Sequence, residues 1–149
     1  MNIEIKKNYN LVDYEESIDI MKGRVDDITN QKKAELIWFL SHDHIFTQGT
    51  SASETEVIKK NQIRTIKTNR GGKTTYHGPG QRIVYFMINL NNRKKDIKKF
   101  INLLESSTIY FLKEFDIEAT TYPKRVGIWV TKNKDKKLTK EKKIGAIGL

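Results

Sequence analysis

The sequence predicts an α/β (α+β) fold in which a mixed β-sheet is flanked by helices. Three features carry that expectation. Residues 11–30 and 96–115 place apolar side chains at helical spacing. Several short stretches, the clearest at 82–90, are β-branched and aromatic, as strands are. The two kinds of segment do not alternate strictly, which argues against a doubly wound parallel sheet.

Along the chain, Leu11, Tyr14, Ile18, Met21, Val25 and Ile28 step by three and four, giving one apolar stripe on an amphipathic helix. Leu36 to Leu40 (LIWFL) suits a buried strand. Ser53 with Glu56 forms a capping-box pattern that opens a short helix expected to run through Lys60. Ile63, Thr65 and Lys67 fall on a strand, and RIVYFMINL at 82–90 makes the best strand of all. The second helix, Asp96 to Phe115, carries Ile97, Phe100, Ile101, Leu104, Phe111, Leu112 and Phe115 on one side. Val126 to Thr131 reads as a strand. KNKDKKLTKEKK at 132–143 holds seven lysines against Asp135 and Glu141, and is expected to be an exposed loop. Its residues 132–140 should be mobile and bulged between two antiparallel strands. Lys143 to Leu149 (KIGAIGL) reads as a closing strand. With no repeat or linker, residues 1–149 read as a single domain.

Composition narrows the function. There are no cysteines, which excludes disulfides, thiolate zinc sites and any thiol nucleophile within these 149 residues. The longest apolar run, Ile83 to Ile88, is far below the ~20 residues of a membrane span. The first ten residues carry Glu4, Lys6 and Lys7 with no signal-peptide stretch, so a cytoplasmic location is expected. Twenty-eight Lys and Arg against eighteen Asp and Glu give a net charge of +10, which favours acidic partners. The lysine run lacks the interleaved aromatics of a single-strand platform, so nucleic acid is not expected as a partner, and with no apolar run of spanning length neither is a membrane.

The chemistry concentrates at residues 70–81, Arg70-Gly71-Gly72-Lys73-Thr74-Thr75-Tyr76-His77-Gly78-Pro79-Gly80-Gln81. Four of the nine glycines and one of the two prolines lie here, with polar side chains at nearly every other position. Tight turns alone explain a Gly-Pro-Gly but not that density of donors, so a ligand site is expected. Gly72-Lys73-Thr74 is not the end of a phosphate-binding P-loop, because position 67 is Lys67 where the first glycine is required. Nor can a helix continue through Gly78-Pro79-Gly80. His42-Asp43-His44 has no third ligand nearby and reads as a solvated strand end; no metal is expected. His77 is the one histidine expected to work in the site.

RGGKTTYHGPGQ resembles the signature of the octanoyl-acyl-carrier-protein:protein octanoyltransferases, the lipoate–protein ligase B family. Three further segments fit in order: His42 with Ile45-Phe46-Thr47-Gln48-Gly49, Val126-Gly127-Ile128-Trp129-Val130, and Lys143-Ile144-Gly145-Ala146-Ile147-Gly148. The resemblance runs from about residue 34 to the end. The related lipoate–protein ligase A and biotin ligase families share the fold but carry different motifs here and bind ATP. The intact Thr75 to Gln81 segment favours the transferase.

The resemblance implies a biotin/lipoate protein ligase-like catalytic domain. The implied activity moves an octanoyl group from octanoyl-acyl carrier protein to a lysine of lipoyl domains, in 2-oxoacid dehydrogenases and the glycine cleavage H protein, without a cofactor. Arg70, Gly71, Gly72, Lys73, Thr74, Thr75, Tyr76 and His77 are implied as the acyl site, with Tyr76 and His77 lining a pocket onto which the Gly71 and Gly72 backbone opens. Ala146, Ile147 and Gly148 are implied as its other wall. Lys143 matches the family lysine that lowers the pKa of an acyl-accepting cysteine downstream, and that cysteine is absent from this chain.

On this basis the chain is expected to be cut short at its C-terminus, to lack turnover by itself, and to unfold with weak cooperativity. The alternative is a non-catalytic binder of lipoyl domain or acyl carrier protein.

Overall fold

The computed structural model describes residues 2–57, 62–134 and 136–148. These fall into two units, Met1–Asn92 and Arg93–Leu149. The mixed, helix-flanked class expected from the sequence is observed, divided among three three-stranded sheets.

In the first unit, β1 (Ile3–Lys7) leads to α1 (Tyr14–Thr29). Asp13 caps this helix, its carboxylate accepting the Glu16 N–H at 3.0 Å, and Glu15 and Glu16 place negative charge in the first turn. That backbone hydrogen bond holds the Asp13 carboxyl below its ordinary pKa. β2 (Glu35–Leu40) lies between β1, its parallel neighbour, and β6 (Ile83–Met87), its antiparallel one. This central position explains why LIWFL is apolar throughout. Val12, Ile28, Leu36, Trp38, Leu40 and Met87 form the core, with Ile20, Met21, Ile83 and Tyr85 packed against it. Trp38 donates its indole N–H to Asn8 Oδ1 at 2.8 Å, which settles the one polar atom of that buried ring.

The second sheet of this unit is β4–β3–β5. β3 (Ile45–Gln48) pairs in parallel with β4 (Arg64–Lys67) and antiparallel with β5 (Thr74–His77). In the second unit α2 (Ile97–Lys113) starts at Asp96, whose carboxylate accepts the Lys99 N–H at 2.8 Å. It is followed by β7 (Ile117–Tyr122), β8 (Arg125–Asn133) and β9 (Lys136–Gly145), an antiparallel sheet. No helix among the described residues is long and apolar enough to cross a membrane.

Several expectations need correction. The lysine run is not a loop: it supplies the end of β8 and most of β9, because backbone pairing to β8 holds it extended while most of its side chains stay in solvent. Residue 135 lies outside the described residues. The closing strand stops at Gly145, so Ala146, Ile147 and Gly148 are not in a strand, and Leu149 is not described. Ser53 does cap, but it opens only a single 3₁₀ turn, Glu54–Glu56. The Glu56 carboxylate interacts with the Ser53 backbone N–H, as a capping box requires, and also accepts the Thr74 N–H at 2.9 Å. The remainder of the helix expected through Lys60 lies outside the described residues. The strand at 82–90 is shorter, Ile83–Met87, and gives way to a 3₁₀ turn at Leu90–Arg93. β1, β5 and β7 were not expected as strands.

The core's weight on β2 makes a clean test. Leu36 is 1% exposed and Ile5, on the neighbouring strand, is 61% exposed. Leu36→Ala is expected to cost about 2–5 kcal/mol in urea unfolding. Ile5→Ala should cost within about 0.5 kcal/mol. Equal costs would show that the core is not where the packing places it.

Candidate functional site

The glycine-rich segment is held against the end of β3. Gly49 lies so close to it that an added Cβ would overlap the Gly72 carbonyl, with Gly71 O at 2.8 Å and Arg70 Nη1 at 2.9 Å. Only a residue without a side chain permits that approach. Two backbone bonds close the contact, Thr50 N–H to Arg70 O at 2.9 Å and Ser51 N–H to Gly72 O at 3.1 Å.

Arg70 then turns back into its own loop. Its Nη2 donates to Thr47 O at 2.7 Å, to Thr47 Oγ1 at 2.9 Å and to Lys73 O at 2.9 Å; Nη1 donates to Gly71 O at 2.9 Å. The guanidinium fork is well suited to such a clamp, because its donors are fixed in one plane. Glu56 holds the other end through the Thr74 N–H, which lowers its carboxyl pKa, and its carboxylate lies 3.6 Å from Lys73 Nζ.

Strand alternation sends Tyr76 and His77 to opposite faces of β5. Tyr76, opposite Phe46 in the register, packs on its ring at 5.5 Å and meets His44 Nδ1 through its hydroxyl at 2.5 Å. His77 faces inward, stacked on Tyr14 at 6.2 Å and edge-on to His42 at 5.9 Å. The Gly71 and Gly72 backbone is exposed.

The hydrogen bonds determine which ring nitrogens carry protons. Gln81 donates from Nε2 to Tyr76 O at 3.1 Å, so its Oε1 faces His77 Nδ1 at 2.8 Å and must accept from it. His77 Nε2 therefore presents its lone pair to Thr47 Oγ1 at 3.3 Å. Because Thr47 Oγ1 already accepts from Arg70, its own hydrogen is free to point at that nitrogen. The same logic applies to His42. Its Nδ1 meets the Val12 carbonyl at 2.7 Å and so carries the proton, leaving Nε2 to accept from the Tyr85 hydroxyl at 2.9 Å.

Burial pushes both imidazoles below their ordinary pKa, and pushes Tyr14 up and Tyr85 up to about 12. At neutral pH this aromatic wall carries no charge on any of its four rings.

His42 is thus no solvated strand end: it is 1% exposed. The signal was present, since Leu36, Trp38, Leu40 and His42 share the parity of β2 and all are buried. Thr47, fully buried, and Tyr85 were missed because nothing in their local spelling marks them. No three His, Cys, Asp or Glu side chains group as metal ligands among the described residues. An open recess of about 600 Å³ is lined by Lys32, Lys33, Glu35 and Asn89 among others, and none of the glycine-loop residues borders it.

In the second unit, Lys143 pairs across the sheet with Trp129, its Nζ 5.9 Å from the ring centroid. Arg125 packs over the same ring at 4.0 Å and over Tyr122 at 4.8 Å, with Glu141 at 2.5 Å. Beyond the end of β9, Ala146 and Gly148 are exposed and Ile147 is half-buried.

Residues 13–149 match the family model of the lipoyl protein ligase A/B catalytic domain. Among curated relatives, the octanoyltransferase of Parvibaculum lavamentivorans is 44% identical over 138 residues, covering 93% of this chain and 61% of that protein. That of Zymomonas mobilis is 40% identical, covering 99% and 66%, and that of Ehrlichia canis is 38% identical, covering 99% and 67%. The chain therefore spans 61% and 66% of the length of the first two.

Two solved structures share the fold at low identity. One is from the study of a bipartite lipoate protein ligase and its E2 lipoyl domain from Thermoplasma acidophilum (TM-score 0.55, 14% identity, 87% of this chain and 52% of that one). The other is P. falciparum LipL1 in complex with lipoate (TM-score 0.61, 15% identity, 99% and 46%).

The two neutral imidazoles generate a pH dependence. An unfolded histidine takes up its proton near pH 6.5, whereas the folded state resists it to lower pH. Their contribution to stability is therefore complete above pH 6.5 and is lost progressively as pH falls below it. Urea unfolding at pH 7.5 and 5.5 is expected to show the loss, and His42→Asn, which keeps a donor for Val12 O without titrating, should reduce it. A flat profile in the parent chain would contradict the assignment.

Proposed function

Because the chain belongs to the lipoyl protein ligase A/B catalytic domain family, we propose that it serves octanoyl transfer from octanoyl-acyl carrier protein to a lysine of lipoyl domains. The observation that carries this reading is the relation to octanoyltransferases over 93–99% of the chain, with the glycine-loop segment intact. An octanoyl chain is apolar, and the uncharged wall of Tyr14, His42, His77 and Tyr85 suits it better than a charged pocket would. With Arg70 engaged by its own loop, Arg70 to His77 form the acyl site as a shaped backbone surface rather than as a row of free cations. The family match runs through both units, which supports assigning residues 13–149 to one catalytic domain.

Lys143 is proposed to favour a thiolate, as an ammonium does beside a thiol. These 149 residues contain no thiol for it to act on. An amide formed on Lys143 itself would be a dead end, since an amine leaves poorly. The zero cysteine count favours a second reading for this chain taken alone, that of a binder of lipoyl domain or acyl carrier protein without turnover.

The charge distribution supports acidic carriers as partners. Lys134, Lys136, Lys137, Lys140 and Lys142 are exposed on the hairpin of β8 and β9, in a chain of net charge +10. Incubation with octanoyl-acyl carrier protein and a lipoyl domain, with intact mass as the readout, is expected to show no octanoyl gain on the lipoyl domain. Binding measured alongside should weaken steeply with salt, and further in Lys136→Glu/Lys140→Glu. Turnover by the 149-residue chain would refute the need for a cysteine. Absence of salt-sensitive binding to either carrier would refute the partner assignment.

A further inference from the structure

We propose that Gly127 is a positioning residue for Lys143, the empty space above its Cα being the seat in which the lysine side chain lies. Along β8 and β9, Trp129 pairs with Lys143 but Ile128 pairs with Gly145, so one step on β8 is matched by two on β9. The extra residue is Ile144, half exposed. A bulge of this kind bends its strand and re-aims neighbouring side chains. Here it leaves Lys143 on the Trp129 face while its stem crosses toward position 127.

Gly127 is shaped to receive it. A Cβ at this position would overlap Lys143 Cε and would lie 3.0 Å from Lys143 Nζ and 2.7 Å from Gly145 O. The backbone there has φ +118°, a conformation that L side chains rarely adopt. Bulge and glycine thus act together: one turns the lysine, the other leaves the room for it.

The Trp129 ring bounds the same space and attracts the ammonium through its π face, at 5.9 Å from the centroid. Arg125, already bound to Glu141 and stacked on Trp129, stiffens that wall. Lys143 is exposed, so these contacts rather than burial narrow the rotamers of a long, flexible side chain and favour one place for its charge.

The functional consequence rests on the proposed role of Lys143 in favouring a thiolate; the seat itself does not. Any residue other than glycine at 127 lifts the ammonium away without touching substrate.

The test uses the 149-residue chain labelled with ¹³C-lysine. Lys143 ε-methylene protons should show nuclear Overhauser contacts to the Gly127 α protons and to the Trp129 indole, and Lys142 should show neither. Their absence in the parent chain overturns the proposal. Gly127→Ala should abolish the Lys143–Trp129 contact and move the ε-methylene shift toward that of Lys142. An unchanged contact and shift in that variant overturn it too.

Strain at φ +118° also destabilises Gly127→Ala, so its unfolding midpoint is compared in Lys143 and Lys143→Ala backgrounds. Removing the lysine stem should recover part of the loss, giving a coupling that simple backbone strain does not produce. Strictly additive losses overturn the proposal. None of these readouts involves octanoyl transfer, so failure of the transfer reading and failure of the seat are separately visible.

Discussion

The Arg70 guanidinium is the interaction on which the rest of the site hangs. Thr47 is fully buried on the central strand of its sheet, so its hydroxyl cannot turn to water for a partner. Arg70 supplies donors to that hydroxyl and to the Thr47 carbonyl, and also holds the carbonyls of Gly71 and Lys73. Leaving the two acceptors of buried Thr47 unpaired costs about 1–3 kcal/mol each, which ties the loop that carries Arg70 to β3. Because Arg70 donates to Thr47 Oγ1, the threonine hydrogen is directed to His77, and because His77 then donates from Nδ1, Gln81 must offer its carbonyl oxygen. One guanidinium thereby determines the tautomer of a ring that it does not itself touch.

In a protein of net charge +10, Arg70 comes near this wall, with its guanidinium engaged by Thr47 and its own loop. Most of the described lysines are exposed and hydrated, while the inward rings of Tyr14, His42, His77 and Tyr85 are all neutral at pH 7. Desolvation is the leading cause of all four shifts. The division has a functional sense: long-range attraction of an acidic carrier operates through the surface, whereas an apolar acyl chain needs an uncharged lining. In the second unit, a single extra residue in β9 and a single missing side chain in β8 let one exposed lysine out of a run of seven lie across position 127. Lys132 pairs with Glu118 at 3.1 Å, and the exposed Lys134, Lys136, Lys137, Lys140 and Lys142 contribute to a general field. Lys143 differs by its backbone surroundings, not by its own chemistry.

Periodicity sufficed for α1, α2, β2 and β6, because apolar spacing reports the backbone directly, even in α2, where Leu112 is buried while Ile97, Phe111 and Phe115 stay exposed. The glycine-loop segment was legible for a different reason: an unusual density of Gly, Pro and polar residues has few structural explanations. Strands β1, β5 and β7 were not legible, since IEIKK, TTYH and IEATTY owe their extended form to partners far away in sequence. The lysine run reads as a loop because charge reports solvent exposure, and an exposed strand is as well solvated as a loop. His42 errs in the opposite sense, although strand parity pointed inward.

Composition and local spelling were enough for the absence of a thiol, the strong positive charge, two amphipathic helices, and a glycine-rich segment specific enough to indicate its family. Pairing was left to the folded chain. That Arg70 bonds to Thr47, that His77 lies between Tyr14, His42 and Gln81, and that Lys143 crosses Gly127 all join residues through register, and register is a property of strands together that no single stretch of chain contains.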